Sequence, residues 1–359
     1  MANTEPIPRP YTFTLTTACF RSNNSVHVAK TLVDTLNATN ALMAIPINLV
    51  IYGDSETIPL LKEKRAEYGH TEKTVFKQIE KQDIWSFQYI EKVRQNRAIY
   101  FPSRDARHDE EIHLLQNNKV QFVLETIETN PFGTTHFGWT DAFLGKDTVR
   151  ICENYHIDVL PNLLAEIRDE KFHIQVMNVT DKVFKQKEYK QMYYAQYRWV
   201  ACGGFYVCGA EAGKRVLNRI KELFLETLEL GYGHGEEMLY LEVLDEFDED
   251  IVRSYGDYGQ MWNNFKWPTH NLHYLYWTVF YKYREMEYKK EMFYFGRVVY
   301  EMMMDRASTL EKTQVNQDVT SSFGLPYHMF KEMMYEYRES ANSIGLMTEE
   351  LAEKLSVYV

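Results

Sequence analysis

The chain has 359 residues, of which 45% are hydrophobic and 25% charged, a balance typical of a globular protein with a substantial core. Its formal net charge of −11 argues against nucleic-acid binding and against docking on anionic lipid through a polybasic patch. The first ten residues are polar and contain three prolines, and Pro46 and Asn48 interrupt the longest apolar stretch. We therefore expect neither a signal peptide nor a membrane-spanning helix. The four cysteines form no CxxC pair, so reduced thiols and a cytoplasmic location are expected.

The first part of the chain alternates strand-like and helical segments. Tyr11–Phe20 and Ile45–Tyr52 are rich in β-branched and aromatic residues and predict strands. The segment between them has apolar residues at four-residue spacing, which predicts an amphipathic helix with a face formed by Val28, Leu32 and Leu36. A second helix is predicted after Asp54. This order of elements indicates parallel strands joined by right-handed helical crossovers.

Further strands and helices are predicted beyond residues 71–108, a stretch with no clear pattern. A helix is predicted over Asp109–Thr129, because Asn130-Pro131 would end it. Three strands then follow, at His136–Trp139, Lys171–Val179 and Trp199–Val207. Two amphipathic helices are predicted at Ala210–Leu230 and Glu236–Phe247.

The last part of the chain, from Trp277 onward, has a helical pattern rich in Met and Tyr that is broken at Gly324-Leu325-Pro326. These side chains suit core packing against the α/β domain. An oligomer surface or a membrane-apposed face are the alternatives.

Asp141 is the most informative single residue for function. It directly follows an aromatic strand in NPFGTTHFGWTD, and ligands of open α/β sheets bind at the carboxyl ends of strands. A carboxylate there can hold Mg²⁺ or Mn²⁺, and the metal can bind a diphosphate and offset charge on the leaving group. An aspartate that caps the following turn is the alternative interpretation.

Two glycines and two glutamates are further candidates. Gly203 and Gly204 interrupt an apolar strand, which costs stability unless a ligand or another backbone passes close by. A β-bulge would also explain them. Glu236 and Glu237 follow a glycine-rich turn and begin a helix, where a general base for an acceptor hydroxyl could lie. The helix dipole alone also favours carboxylates at this position.

Weaker candidates lie near the ends of the first two strands and in the segment WPTHNLHYLYW. Thr16, Thr17 and Asp54 could line a crevice for a nucleotide. His270 and His273 could bind a metal as neutral imidazoles, although structural hydrogen bonding explains each of them too.

Four segments together resemble the HtrL/YibB family, a group of glycosyltransferase-like proteins expected to have the GT-A fold. TLTTACFR and INLVIYGD are similar to the family's first two strands, and NPFGTTHFGWTD resembles its NPF…THFGW-x-D segment. The fourth, WVACGGFYVCG followed by GYGHGEEMLY and YGDYGQMWNNF, is similar to its GG(F) and GHxDEQ…YGDY run. The similarity extends over about residues 11 to 265.

The resemblance implies an α/β fold of the GT-A type, with a mixed, mainly parallel sheet flanked by helices. A catalytic domain is expected over residues 1–275, and a helical extension packed on it over 276–359. Asp141 would be the last acid of a metal-binding DxD element whose first position is Trp139 here, with Mn²⁺ or Mg²⁺ as cofactor. His270 or His273 would be the second metal ligand.

The resemblance also suggests which residues contact the substrates. Glu236 and Glu237 are the catalytic candidates, and they stand with Met238 where the family has DEQ. The expected donor-binding residues are Thr16, Thr17, Arg21, Asp54, Lys119, Trp139, Gly203 and Gly204.

Three functions remain open at this point. A glycosyltransferase would move a sugar from a nucleotide sugar, by default a UDP-sugar, to a hydroxyl of a glycan or protein. If the reaction inverts, Glu236 or Glu237 would be the base, and if it retains, these carboxylates would contact the sugar. A nucleotidyltransferase is less favoured, because the loop CFRSNN after the first strand lacks glycine. The incomplete DxD element and the lost Gln favour a non-catalytic protein that binds glycans or nucleotide sugars. The oligomeric state is left open.

Overall fold

A computed structural model describes residues 11–21, 32–99, 109–143, 157–196, 198–232, 235–256, 258, 261–262 and 272–359. Seven strands in these ranges form one sheet with the order β3-β2-β1-β4-β6-β5-β7. They are β1 (Phe13–Cys19), β2 (Asn48–Gly53), β3 (Thr74–Gln78), β4 (His136–Thr140), β5 (Phe172–Val176), β6 (Ala201–Gly209) and β7 (Ile251–Tyr255).

One strand of the sheet runs against its neighbours. β1 pairs in parallel with β2 and β4, β2 with β3, and β5 with β7, whereas β6 is antiparallel to both β4 and β5. The beginning of β6 therefore lies at the same edge of the sheet as the carboxyl ends of the other strands. We call this edge the carboxyl edge.

Helices cover both faces of the sheet, because the strands are apolar on both sides. Along β2, Leu49 and Ile51 belong to one hydrophobic cluster, while Val50 and Tyr52 belong to another on the opposite face. The predicted fold class, a mixed and mainly parallel sheet flanked by helices, is confirmed.

The α-helices up to the end of the sheet are α1 (Leu32–Ala38), α2 (Asn40–Met43), α3 (Thr57–Glu67), α4 (Ile90–Ile99), α5 (Glu110–Thr129), α6 (Val159–Glu166), α7 (Lys187–Tyr194), α8 (Ala210–Glu229) and α9 (Tyr240–Glu246). Those that follow are α10 (Leu272–Leu275), α11 (Tyr281–Glu285), α12 (Lys289–Thr309), α13 (Gln317–Ser321), α14 (Tyr327–Ser343) and α15 (Glu349–Ser356). A π-helical segment, Tyr276–Phe280, joins α10 to α11.

The sequence located most elements but placed some boundaries incorrectly. The strand predicted at Ile45–Tyr52 begins only at Asn48, and the helix predicted over Glu236–Phe247 is a 3₁₀ turn, Glu236–Met238, followed by α9. Strands β3 and β7 were not predicted. In the first predicted helix, Leu36 is buried, while Val28 lies outside the described residues.

The C-terminal helices share a hydrophobic cluster with the helices on one face of the sheet. Phe295 of α12 contacts Tyr255 of β7 with ring centroids 4.8 Å apart, and Gly296 lets α12 approach Tyr337 of α14 closely. The division of the chain at residue 275 into two domains remains a prediction. No helix in the described ranges is long and apolar enough to cross a membrane.

A fully buried arginine ties α3 to the start of β2. The Arg65 guanidinium donates hydrogen bonds to the carbonyl oxygens of Met43, Ile45 and Ile47 at 2.8 to 3.0 Å, and its Nε donates to Thr74 Oγ1 at 2.7 Å. Burial lowers the pKa of Arg65 to about 10. The four hydrogen bonds thus hold the chain that enters β2 against α3 and the first residue of β3.

We predict that Arg65→Met destabilises the protein by about 3 kcal/mol or more, because three buried carbonyl groups lose a charged donor. Chemical denaturation of both proteins measures the difference. Arg94→Met is the matched control, since the Arg94 side chain is 48% exposed and its ion pairs lie at the surface. Equal stabilities of the two variants would contradict the structural role of Arg65.

Candidate active site

A buried lysine lies at the centre of the candidate site. Lys119 projects from α5, and its ammonium is 2.7 Å from Glu236 Oε1 and 3.2 Å from Asp141 Oδ1. It also donates a hydrogen bond to the carbonyl oxygen of Gly203 at 3.2 Å. Its side chain is only 11% exposed, so the lysine is available to these partners and largely withdrawn from solvent.

Asp141 follows β4 at the carboxyl edge, where the sequence predicts it. Its backbone N–H donates to the carbonyl oxygen of Gly204 at 2.8 Å, which fixes it against the beginning of β6. Its Oδ1 accepts a hydrogen bond from Trp139 Nε1 at 2.7 Å and faces the Lys119 ammonium. The Asp141 side chain is 34% exposed, which makes it the most accessible acid of the group.

Gly203 and Gly204 provide close approach for side chains of other elements. A Cβ atom on Gly203 would lie 2.5 Å from Glu236 Oε1 and 2.9 Å from Glu237 Cγ. A Cβ atom on Gly204 would lie 2.7 Å from Met261 Cε and 3.1 Å from Asp141 Oδ2. The two glycines are therefore required by packing at the site. This agrees with the expectation that a glycine within a strand marks a place where another group comes close to the backbone.

Glu236 and Glu237 form a buried turn against the same strand. They are 2% and 6% exposed, and the Glu237 Oε1 accepts a hydrogen bond from the backbone N–H of Gly203 at 2.9 Å. Glu236 forms the ion pair with Lys119. Neither carboxylate is a solvent-facing residue at a helix start, so the dipole of α9 does not by itself explain their position.

Burial and charge set the protonation of the cluster. Burial lowers the pKa of Lys119, but the nearby carboxylates of Asp141, Glu236 and Glu237 outweigh that effect and raise it overall, so the lysine is a cation. Burial raises the pKa of Glu236, and the Lys119 ammonium opposes this rise while the Asp141 carboxylate adds to it. Lys119 therefore helps to keep Glu236 ionised.

Three of the predicted donor-binding residues are buried: Thr16, Thr17 and Trp139. Thr16 and Thr17 are fully buried within β1, and the Thr16 hydroxyl donates to Thr126 Oγ1 at 2.9 Å. Trp139 is 3% exposed and holds Asp141 through its indole N–H. Trp139 thus orients the acid rather than facing solvent, and donor contacts by the two threonines remain a prediction.

Asp54 and Arg21 meet at the ends of the first two strands. Asp54 Oδ2 accepts a hydrogen bond from the backbone N–H of Arg21 at 2.9 Å, and its Oδ1 accepts from the N–H groups of Glu56 and Thr57. The carboxylate thereby caps α3. The Arg21 side chain is 56% exposed and pairs with Glu56, so it is an accessible cation at this point of the carboxyl edge.

Of the two predicted histidine ligands, only His273 is among the described residues. His273 is exposed, and its Nε2 accepts a hydrogen bond from Trp277 Nε1 at 3.2 Å, which engages one of the two nitrogens that could bind a metal. His270 lies outside the described residues. Within those residues no three His, Cys, Asp or Glu side chains group closely enough to hold a metal ion.

The carboxylate of Asp141 nevertheless fits one kind of metal site. Both contacts that hold Asp141 use Oδ1, and Oδ2 lies against the bare Cα of Gly204. Mg²⁺ is commonly bound through one or two carboxylates together with substrate phosphates rather than by a cage of protein ligands. Asp141 fits such a cation, shared with a bound diphosphate.

Sequence reasoning missed the side chains that close the site behind Gly204 and Thr140. Met261 packs against Gly204, and Trp262 Nε1 donates to Thr140 Oγ1 at 3.2 Å. Both residues are nearly fully buried. They lie in YGDYGQMWNNF, a segment that carries the family resemblance, so the motif itself was the available signal.

We predict that Lys119→Met destabilises the protein by about 3 to 5 kcal/mol at neutral pH, because buried carboxylates lose their cation. The folded-state pKa of Glu236 lies above its unfolded value and would rise further without Lys119. The folded chain then holds the Glu236 proton to a higher pH than the unfolded chain does. The variant should therefore recover stability as the pH falls from 8 to 5, in denaturation measured at each pH.

The control for this prediction is Lys81→Met, which removes a partly buried pair with Glu111 at 2.6 Å. Its loss of stability should be smaller and should not lessen toward pH 5. A Lys119→Met loss that stays constant between pH 8 and pH 5 would contradict the coupling between Lys119 and Glu236.

Comparison with known proteins gives a family but no named activity. Residues 21–232, more than half of the chain, match the family described as "Bacterial protein of unknown function (HtrL_YibB)". No curated protein matches the chain in sequence. Among solved structures, the chain is similar to mouse xyloside xylosyltransferase 1 in its apo form, with 11% identity, 76% of this chain and 91% of that chain covered, and a TM-score of 0.38.

The chain is also similar to 4-diphosphocytidyl-2C-methyl-D-erythritolsynthase from Anaerococcus prevotii DSM 20548. That similarity has 10% identity and a TM-score of 0.34, and it covers 71% of this chain and 89% of that chain. Both structural similarities are distant, so the family assignment rests on the sequence match. The motifs and the match agree, and the chain belongs to the HtrL_YibB family.

Proposed function

We propose that this protein is a glycosyltransferase that binds a nucleotide sugar at the carboxyl edge of its sheet and transfers the sugar to a hydroxyl of a glycan or protein. The observation that carries the proposal is the arrangement around Asp141. An accessible carboxylate at the end of a parallel strand is held in place by Trp139 and Lys119, beside a stretch of β6 that has no side chains. Ligands of open α/β sheets bind at this edge.

In the proposed complex, Asp141 faces the diphosphate of the donor. Its Oδ2 would share a Mn²⁺ or Mg²⁺ ion with the diphosphate, and the cation would offset the charge that develops on the leaving nucleoside diphosphate. Lys119 and Trp139 keep Oδ1 engaged, so that only one oxygen of Asp141 is directed to the ligand. The exposed Arg21 would add a positive charge for the nucleotide at the end of β1.

The glutamates are better suited to positioning the sugar than to acting as a free base. Glu236 is paired with Lys119, and Glu237 is anchored on the N–H of Gly203, so both are restrained before any substrate binds. A base must reach the acceptor hydroxyl within about 3 Å, directly or through one water. Because they are only 2% and 6% exposed, the two glutamates would instead lie beneath a bound donor sugar and hold its hydroxyls.

We predict that the protein hydrolyses one donor in a panel of UDP-, GDP- and CMP-sugars and that this requires Mn²⁺ or Mg²⁺. A chelator should abolish the reaction. Asp141→Asn should lower the rate about 100-fold or more, a typical cost of losing one electrostatic contact to a developing charge. Release of nucleotide measured by chromatography tests this.

Asp318→Asn is the matched control, because the Asp318 side chain is 76% exposed and belongs to α13. Its donor hydrolysis should equal that of the wild type. Donor binding by calorimetry without any turnover would support the non-catalytic alternative. If no nucleotide sugar binds or is cleaved, both the transferase and the nucleotide-sugar-binding proposals are wrong.

We further predict that Gly203→Ala lowers donor hydrolysis beyond its effect on stability, because the new Cβ displaces both glutamates. Gly209→Ala is the matched control on the same strand. Its Cβ would lie 2.5 Å from the carbonyl oxygen of Glu170, at the opposite end of β6. Both variants should be less stable, by about 1 to 3 kcal/mol. Similar activities of the two variants at 10 °C would contradict a role for the glutamates in donor positioning.

A further inference from the structure

A tryptophan on the π-helical segment is both exposed and held in one orientation. Trp277 is 47% exposed, yet its indole N–H donates to His273 Nε2 at 3.2 Å. Its ring meets Tyr276 with centroids 5.0 Å apart at 83° and meets His273 at 6.3 Å and 87°. The third neighbour, Tyr281, lies at 5.4 Å and 47°.

These contacts restrain the orientation of the indole. None of the three rings stacks flat on it, and its one polar atom already has a partner within the same helix. About half of the Trp277 side chain is therefore presented to solvent. Because its orientation is already restrained, it has little side-chain entropy left to lose on binding. Fixing a large apolar ring at the surface gives no folding benefit comparable to burying it.

The segment that carries Trp277 is attached to the carboxyl edge. The carbonyl oxygen of Thr278 accepts a hydrogen bond from the N–H of Val179, just after β5, at 3.1 Å. Lys282 donates to Asn178 Oδ1 at 2.5 Å in the same loop. The N–H groups of Met177 and Asn178 pair with the carbonyl oxygen of Val200, three residues before Gly203.

The surroundings of Trp277 favour a neutral ligand. Arg284, whose guanidinium lies 5.0 Å from the centroid of the Tyr281 ring, is paired with Glu332, and Glu332 also accepts a hydrogen bond from the Tyr276 hydroxyl. The positive charge of Arg284 is thus compensated. The whole chain carries a net charge of −11, which disfavours polyanionic ligands.

We infer that Trp277, with His273 and Tyr281, forms a platform that binds a pyranose ring of a neutral oligosaccharide acceptor. The C–H groups on one face of a pyranose carry slight positive charge and suit the negative face of an aromatic ring. The hydroxyl groups at the edge of the sugar would form hydrogen bonds with His273, which lies beside the indole. This inference rests on the proposed function, since it identifies the acceptor as a glycan rather than a protein.

The experiment measures oligosaccharide binding and donor hydrolysis separately. Cellohexaose, maltohexaose and chitohexaose are titrated into the wild type, Trp277→Ala, Trp277→Phe and Tyr335→Ala, with intrinsic fluorescence and calorimetry as readouts. Tyr335, on α14, is 48% exposed and serves as the matched control for loss of a surface aromatic ring. Donor hydrolysis in the absence of any oligosaccharide is measured for all four proteins.

We expect at least one of these oligosaccharides to bind the wild type and to lose about 30-fold in affinity in Trp277→Ala, the size of one aromatic hot spot. Trp277→Phe should retain part of the affinity, and Tyr335→Ala all of it. Donor hydrolysis should be unchanged in Trp277→Ala. If the wild type also fails to hydrolyse any donor, the result would count against the proposed function and not against the platform.

Two results would overturn the platform. One is that no oligosaccharide of the panel binds the wild type, or that Trp277→Ala binds as the wild type does. The other is that the wild type sediments as a dimer and Trp277→Ala as a monomer, because Trp277 would then contact a second copy of the chain. Unfolding midpoints of the variants show that each one is folded under the conditions of the titration.

Discussion

The ion pairs and the hydrogen bond of Lys119 join four parts of the chain that are distant in sequence. A buried ammonium is costly unless it is paired, and buried carboxylates are costly for the same reason. Lys119 from α5 meets Asp141 after β4, Gly203 at the beginning of β6 and Glu236 before α9. Each group therefore needs the others in place, so that the candidate site exists only when these elements have assembled.

The reversed direction of β6 makes this assembly possible. If the strand beside β4 were parallel to it, the carboxyl end of that strand would lie next to Asp141. Because β6 is antiparallel, its beginning lies there instead, and this part of β6 contains Gly203 and Gly204. The carbonyl oxygen of Gly204 accepts a hydrogen bond from the N–H of Asp141, and Gly203 leaves room for the turn that carries Glu236 and Glu237. The sheet thus supplies an acid from one strand and open backbone from its neighbour at a single point of the carboxyl edge.

The sequence predicted the elements with strong apolar patterns and the acids that follow glycine-rich motifs. It missed β3 and β7, because TVFKQ and IVRSY are only five residues long and each contains a basic residue, so neither has a strong apolar pattern. It identified Asp141 and Glu236 separately but could not show that Lys119 joins them, since a lysine within an apolar helix face has no distinctive pattern. Thr16 was expected to line a crevice, and the structure shows it fully buried in β1, with its hydroxyl bonded to Thr126 of α5.

The balance of charge in the cluster supports a role for a divalent cation in the proposed reaction. Asp141, Glu236 and Glu237 surround one lysine, so the cluster has an excess of negative charge when all three acids are ionised. A nucleoside diphosphate is itself an anion and would be repelled by this excess. Asp141 is the acid with the most exposed side chain and an oxygen that neither Trp139 nor Lys119 engages. A divalent ion at that oxygen would turn repulsion into attraction, which accounts for an acid, rather than a basic residue, at the point where the donor is proposed to bind.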